Sequence, residues 1–141
     1  MDEPLGALDA DFRETMRAEI KKVHIAEEAT TVYVTHDQVE AMAMGDRIVV
    51  MSDAVVQQVG TPHDVDSDPA TLFVARFIGS PGMNLLQGAY SDGVVHLPGD
   101  NKYTVPDEWR ASLAAQLSGD EVVLGFRPEA AHADGVGDLR G

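Results

Sequence analysis

Thr31-Val32-Tyr33-Val34-Thr35-His36-Asp37-Gln38 is the stretch from which the fold is read. Three β-favouring apolar residues run into a Thr-His pair, and a polar helix start follows at once. Such a run, ended by a helix cap, reads as a buried parallel strand. In open α/β sheets, ligands sit just beyond the carboxyl ends of parallel strands, and His36 falls there. A solitary histidine at such a place is more simply a solvated or hydrogen-bonded loop residue. This one has company: Met1-Asp2-Glu3-Pro4-Leu5 and Ala7-Leu8-Asp9 precede it by one amphipathic helix.

Upstream, Met1-Asp2-Glu3-Pro4 reads as a loop, because the proline keeps the residue before it out of the helical region. Asp9 or Asp11 can cap the helix that follows. Phe12, Met16, Ile20 and Val23 fall at i, i+4, i+8 and i+11, one face of a 3.6-residue period, which places this helix at about 10–26. Downstream, Asp37 and Glu40 have the spacing of a capping box, and Gly45 ends the helix over 37–44. Ile48–Met51 reads as a second buried strand, and residues 55–59 complete a hairpin around Ser52-Asp53.

Thr61-Pro62 opens a short helical turn, and Asp68-Pro69 opens a further helix with proline in its first position. Gly79-Ser80-Pro81-Gly82 breaks that helix and marks a domain boundary. After Met83 the pattern changes to short strands over 85–90, 93–97, 102–105 and 121–127, with a helical patch at about 107–117. The expected organisation is a first domain over 1–82, a β-rich second one over 83–132, and a tail at 133–141 without order.

Composition narrows the function. Of 141 residues, 44% are hydrophobic, enough for a core, and 10 Lys and Arg face 24 Asp and Glu for a net charge of −14. That surface repels phosphate backbones and anionic headgroups, so nucleic acid is not an expected partner. The chain has no cysteine, which removes disulfides, thiol catalysis and Cys-ligated zinc and fits a cytoplasmic protein. No apolar run approaches the ~18 residues of a membrane span, so membrane association is expected to run through a partner protein. Asp64, Asp66 and Asp68 alternate as in a calcium loop, but Pro69 and Ala75 stand where the EF-hand needs Gly and Glu. His24, His63, His96 and His132 share no metal-binding spacing.

The chemistry-bearing residues are Asp2, Glu3 and His36. An Asp-Glu pair at a strand end suits a metal–nucleotide site, one carboxylate holding Mg²⁺ and its neighbour orienting water. Adjacent strand residues point to opposite faces, so the pair needs the chain to turn, and Pro4 supplies a turn. The plainer reading is an acidic, solvated terminus.

The ordered motifs Met1-Asp2-Glu3-Pro4-Leu5-Gly6-Ala7-Leu8-Asp9, Val34-Thr35-His36-Asp37-Gln38-Val39-Glu40-Ala41-Met42, Asp46-Arg47-Ile48 and Gln57-Gln58-Val59-Gly60-Thr61-Pro62 closely resemble ATP-binding cassette (ABC) ATPases. The subgroup resembled is the ATPase subunit of carbohydrate importers. Phe77-Ile78-Gly79-Ser80-Pro81 and Gly125-Phe126-Arg127-Pro128-Glu129 look like that subgroup's link and β-rich regulatory domain. The resemblance implies an α/β fold: a partial RecA-like core of parallel strands and helices, then a small, incomplete OB-like domain. It makes Asp2 the Walker B aspartate at Mg²⁺, Glu3 the catalytic glutamate, and Asp9 part of the D-loop that touches the opposite subunit. His36 becomes the switch histidine that contacts the γ-phosphate of ATP. The implied partners are a second ATPase subunit and transmembrane permease subunits, at the inner face of the cell membrane.

The departures matter as much. G-x-x-x-x-G-K-[ST] is absent, and with it the loop that cradles phosphates; the glutamine loop and the signature segment are absent too. All of these belong before Met1 in the family, so the chain is expected to be a C-terminal fragment that does not hydrolyse ATP alone and binds no cofactor by itself. An uncovered apolar face and open sheet edge over 31–59 then predict self-association. Ser52-Asp53-Ala54 lacks the family's glycine, which leaves the turn type open. Besides the importer-ATPase reading stands a non-catalytic one, with 83–130 a regulatory or ligand-sensing module. A stand-alone hydrolase built on Glu3 and His36 lacks any nucleophile motif.

Overall fold

The computed structural model describes residues 1–131, so the expectation for 133–141 and the position of His132 lie outside the described residues. The chain divides into two compact units, Met1–Ser80 and a second from Pro81 onward.

The first unit opens with a turn and the helix α1, Ala10–Glu27. Asp9 is its N-cap, accepting the Phe12 N–H at 2.9 Å, and Glu28 closes it in the left-handed region with φ 49°. The helix forms as expected, but its apolar stripe is not buried. No α1 residue is buried, and Phe12, Val23 and Ile25 are more than half exposed. Its sequence of Ala, Arg, Glu, Met and Lys favours helix locally, and a 2.6 Å Glu19–Lys22 pair spans one turn. The cap and these local terms make the helix without a covering partner.

The expected buried parallel strand at 31–35 is the main correction. Among the described residues, one isolated parallel bridge, Asp2 to Val34, is all that remains of it, and Val32 and Val34 are exposed. The extended segment pairs only with residues 1–3: Met1 donates to Val32 O at 2.8 Å, Val34 to Met1 O at 2.9 Å, and Glu3 to Val34 O at 2.8 Å. Three residues on one side cannot build a ladder or cover either face. Every ladder among the described residues is antiparallel, so the parallel-stranded core is not present here as a sheet.

Helix α2, Gln38–Met44, is capped by Asp37, whose carboxylate accepts from Val39 N and Glu40 N. The capping box does not close. Glu40 is 3% exposed and turns its side chain to Tyr33 and Thr35 instead. Strands β1, Ile48–Ser52, and β2, Val55–Gly60, form the expected hairpin. Ile48 and Val50 are buried while Val49 and Met51 are exposed, so β1 has one covered face and is not buried on both. Asp53 and Ala54 have φ of 50° and 60°, and positive φ at both central positions is the type I′ signature. A register shift between Val50 and Met51 adds a bulge on β2.

Thr61 caps helix α3, Pro62–Ser67, in a complete capping box with Asp64. Those Thr61 hydrogen bonds hold the Asp64 carboxyl below its usual range. The next helix, α4, is Leu72–Phe77 with Thr71 as N-cap, and does not begin at Asp68-Pro69 as the proline suggests. The reason is Gln58, whose amide donates to Asp68 O at 3.0 Å and accepts Ala70 N–H at 2.7 Å, holding 68–70 as a loop. Ile48, Val50, Val65, Val74 and Ile78 then make the core under the hairpin.

The second unit is a four-stranded antiparallel sheet in the order β5-β4-β3-β6, from β3 (Asn84–Ser91), β4 (Val94–His96), β5 (Lys102–Thr104) and β6 (Glu121–Phe126), with helix α5, Asp107–Gln116, before the last strand. These match the expected strands to within about two residues. Asp92-Gly93 makes the β3–β4 turn with positive φ at both residues. Gly88 permits close approach, since a Cβ there would lie 2.6 Å from His96 O. Val95, Leu97 and Val105 form the core, with Leu86, Leu113 and Leu124 packed on it.

Candidate functional site

The single parallel bridge is what assembles the candidate site. It sets Asp2 and Glu3 beside Val34, two residues before His36. A turn starts directly at Glu3, with φ 40° and its carbonyl accepting Gly6 N–H at 3.2 Å. Positive φ at a residue other than glycine is uncommon and concentrates at functional positions. Leu5, 2% exposed, anchors the turn from within. Asp2 and Glu3 are thereby separated: Asp2 belongs to the extended segment and Glu3 to the turn.

The turn delivers Glu3 to His36. Glu3 Oε1 lies 2.8 Å from His36 Nδ1. A carboxylate oxygen can only accept, so Nδ1 carries the proton and Nε2 points elsewhere. The hydrogen bond from Glu3, then its charge, raises the His36 pKa above the ordinary histidine value. Both side chains remain well exposed, so the pair is solvated and its energy modest.

Asp2 is exposed, and among the described residues its carboxylate has no hydrogen-bond partner. Among the described residues no three His, Cys, Asp or Glu gather as a metal cage. Mg²⁺ commonly takes one or two carboxylates and completes its shell with water and substrate phosphate. A free Asp2 fits that role and does not fit a metal held by protein alone.

Asp9 is placed apart from this group. Its carboxylate caps α1, and among the described residues no hydrogen bond or ion pair joins it to Asp2, Glu3 or His36. Arg13 links its helix to the histidine loop, donating to Leu8 O at 2.8 Å and lying 3.8 Å from Asp37.

Sequence reasoning missed three residues here. Tyr33 Oη and Thr35 Oγ1 both donate to Glu40 Oε2, at 3.1 and 2.8 Å, and Asp37 N–H donates back to Thr35 Oγ1 at 3.0 Å. Burial, followed by the Glu40 hydrogen bond, pushes the Tyr33 phenol up to about 12. The available signal was period two: Tyr33 and Thr35 share a face of an extended segment, and Glu40 follows within a turn and a half. The spacing from Asp37 pointed to a cap and hid it.

Beside the pair lies a cleft of about 1090 Å³ between the C-terminal half of α1, residues 29–37 and β1. Ile20, Ile25, Val32, Val34, Val49 and Ile78 are on its walls. The backbones of Tyr33 and Thr35 form no hydrogen bond with other backbone among the described residues, so this wall is an open strand edge. Gln38 Oε1, on the same wall, is buried without a partner among the described residues.

The sequence comparisons agree with the class that these motifs define. The chain is similar to the ATP-binding proteins of ABC transporters. Its residues 79–131 match the MalK OB fold domain, which accounts for the β-rich second unit. It is 50% identical over 133 residues to the oligosaccharides import ATP-binding protein MsmX of Bacillus subtilis, covering 94% of this chain and 36% of that protein. It is 51% identical over 130 residues to the trehalose/maltose import ATP-binding protein MalK of Thermococcus litoralis, covering 92% and 35%. The ABC transporter ATP-binding protein YcjV of Escherichia coli O157:H7 is 51% identical over 135 residues, covering 95% and 37%. The chain thus spans little more than a third of the length of these relatives. Among the described residues no helix is long and apolar enough to cross a membrane.

Proposed function

We propose that this chain is the part of a solute importer's ATP-binding subunit that positions water and senses the γ-phosphate. The observation that carries the reading is the 2.8 Å Glu3–His36 contact, built by the Asp2–Val34 bridge. Its residues 1–80 are part of a RecA-like core, and the motif order and the relatives' names support this. Glu3 orients the attacking water, and His36, its Nδ1–H anchored on Glu3, offers Nε2–H to the terminal phosphate as the imidazolium, the form that the Glu3 carboxylate favours. Asp2 would hold the Mg²⁺ that a nucleotide brings, and the ion would supply charge neutralisation at the phosphates. Phosphoryl transfer is mainly positioning and electrostatics, so these residues act only against a phosphate cradle.

No phosphate-cradling G-x-x-x-x-G-K-[ST] is present in this sequence. The polypeptide alone therefore binds ATP–Mg²⁺ weakly and does not turn it over, while the parent subunit hydrolyses ATP to drive import, with sugars the favoured solute. Its partners are a second ATP-binding subunit, touched by the loop at Asp9, and permease subunits that hold it at the cytoplasmic membrane face. The open edge at Tyr33 and Thr35, beside an uncovered apolar wall, favours self-association of the isolated chain. A clean monomer in light scattering at high concentration would count against that last point.

The decisive test grafts residues 1–131 in place of the aligned stretch of MsmX. ATP hydrolysis by the chimera, falling about 10²-fold or more with Glu3→Gln, supports the assignment. An active chimera indifferent to Glu3→Gln removes Glu3 from catalysis. Calorimetry on the chain alone should give no saturable ATP–Mg²⁺ heat at high micromolar nucleotide. A second reading, in which the unit from Pro81 serves as a non-catalytic regulatory module, is favoured by its own sheet and core.

A further inference from the structure

We propose that Glu40 is the positioning residue for His36, acting through a hydrogen-bonded clamp on Thr35 and Tyr33. The proposal rests on reading His36 as the phosphate-facing group, and adds what aims it. In an extended segment, residues 33 and 35 share one face while 34 and 36 share the other. Glu40, 3% exposed, holds the first pair. The second pair takes the opposite face, on which His36 meets Glu3, while the Val34 backbone pairs edge-on with residues 1–3.

The direction of each hydrogen bond is determined. The Asp37 amide can only donate, so it takes a lone pair of Thr35 Oγ1. The single hydroxyl proton is left for Glu40 Oε2, which also receives the Tyr33 hydroxyl. Thr35 is thus held from two sides of α2, by the cap residue's backbone and by the Glu40 side chain one turn on. His36 sits between the two anchored positions Thr35 and Asp37, and its own side chain is otherwise free and mostly exposed. Without the clamp, a solvated ion pair has little strength with which to hold an exposed ring.

Geometry and charge give different predictions for one variant. Glu40→Gln keeps an acceptor oxygen and removes the charge, so a geometric clamp survives it. Thr35→Val keeps the shape and removes the relay hydroxyl, so the clamp breaks while the fold is little altered. Glu40→Leu removes the acceptor altogether.

The test is the imidazole ¹⁵N–¹H spectrum of His36 in the nucleotide-free full chain, with Glu3→Ala, which removes the acceptor, defining the released pattern and hairpin amide signals reporting the fold. Glu40→Gln should keep the wild-type His36 pattern, and Thr35→Val should move it to the released one with hairpin signals retained. Glu40→Leu should do the same where it folds, and Thr35→Val decides where it does not. A wild-type His36 pattern in Thr35→Val overturns the proposal. So does a released pattern in Glu40→Gln, which would assign the effect to charge. Because no nucleotide enters the measurement, its failure and a failure of the ATPase reading are separate results.

Discussion

Two helices of the first unit make opposite use of their sequences. Helix α1 is 18 residues long and buries none of them; α4 is six residues long and has Val74 and Ala75 sealed in the core. A six-residue helix does not hold in water alone, whereas 18 residues with a good cap approach self-sufficiency. α4 exists because the hairpin covers it, and α1 exists because its own residues favour it. Periodicity identifies the face a helix offers; it does not say that anything accepts the offer.

The comparison breaks most easily in the core. Val74→Ala removes carbon from a fully buried side chain and should cost roughly 2 kcal/mol, from lost transfer energy and a cavity. Phe12→Ala, on the exposed stripe of α1, should stay within about 0.5 kcal/mol. Urea unfolding of both variants checks this, and equal losses would mean that α1 is covered in solution. Thr71→Ala should cost about 1 kcal/mol globally by removing the cap of α4. The matching Asp9→Ala should lower helix content by circular dichroism and leave the urea midpoint of the core unmoved.

Ala54→Gly acts in the other direction. Its φ of 60° costs an L residue roughly 1 kcal/mol, so the glycine variant should raise the melting temperature by a few degrees. The smallest effect belongs to His36. Its folded pKa lies above the usual value because Glu3 accepts from it. The stabilisation is therefore full below the ordinary histidine pKa and is lost as pH rises through the higher, folded one. NMR titration should show Glu3→Gln bringing His36 back toward its usual value, and an unmoved titration would separate the pair in solution.

Local rules carried most of the fold. Asp37 caps where its spacing says, Asp9 rather than the alternative Asp11 caps α1, the hairpin forms where expected but turns at Asp53-Ala54, one residue on from Ser52-Asp53, and all four strands of the second unit were legible. What failed were inferences about neighbours. Residues 31–35 have the composition of a buried strand but, among the described residues, pair only with residues 1–3; the open face and edge were legible from the absent motifs and not from the composition of the strand itself. Pro69 announced a helix that Gln58, eleven residues earlier, holds off through two hydrogen bonds. At the site, Glu3 and His36 were found from motif order, and their contact needed the turn at Glu3. Glu40 was misplaced because the same spacing serves a cap and a clamp.

The strand order β5-β4-β3-β6 also fixes the order in which the chain can fold. The hairpin of β1 and β2 closes across two residues, and such contacts form within about 1–10 μs. Strand β3 lies inside its sheet although it is the first of the four to be made, and its partner β6 joins it as far apart as Asn84 with Phe126. Closing so long a loop is the slow, entropy-limited step. During synthesis, one edge of β3 therefore stays open until β6 leaves the ribosome, and in that interval the second unit carries an exposed strand edge of its own.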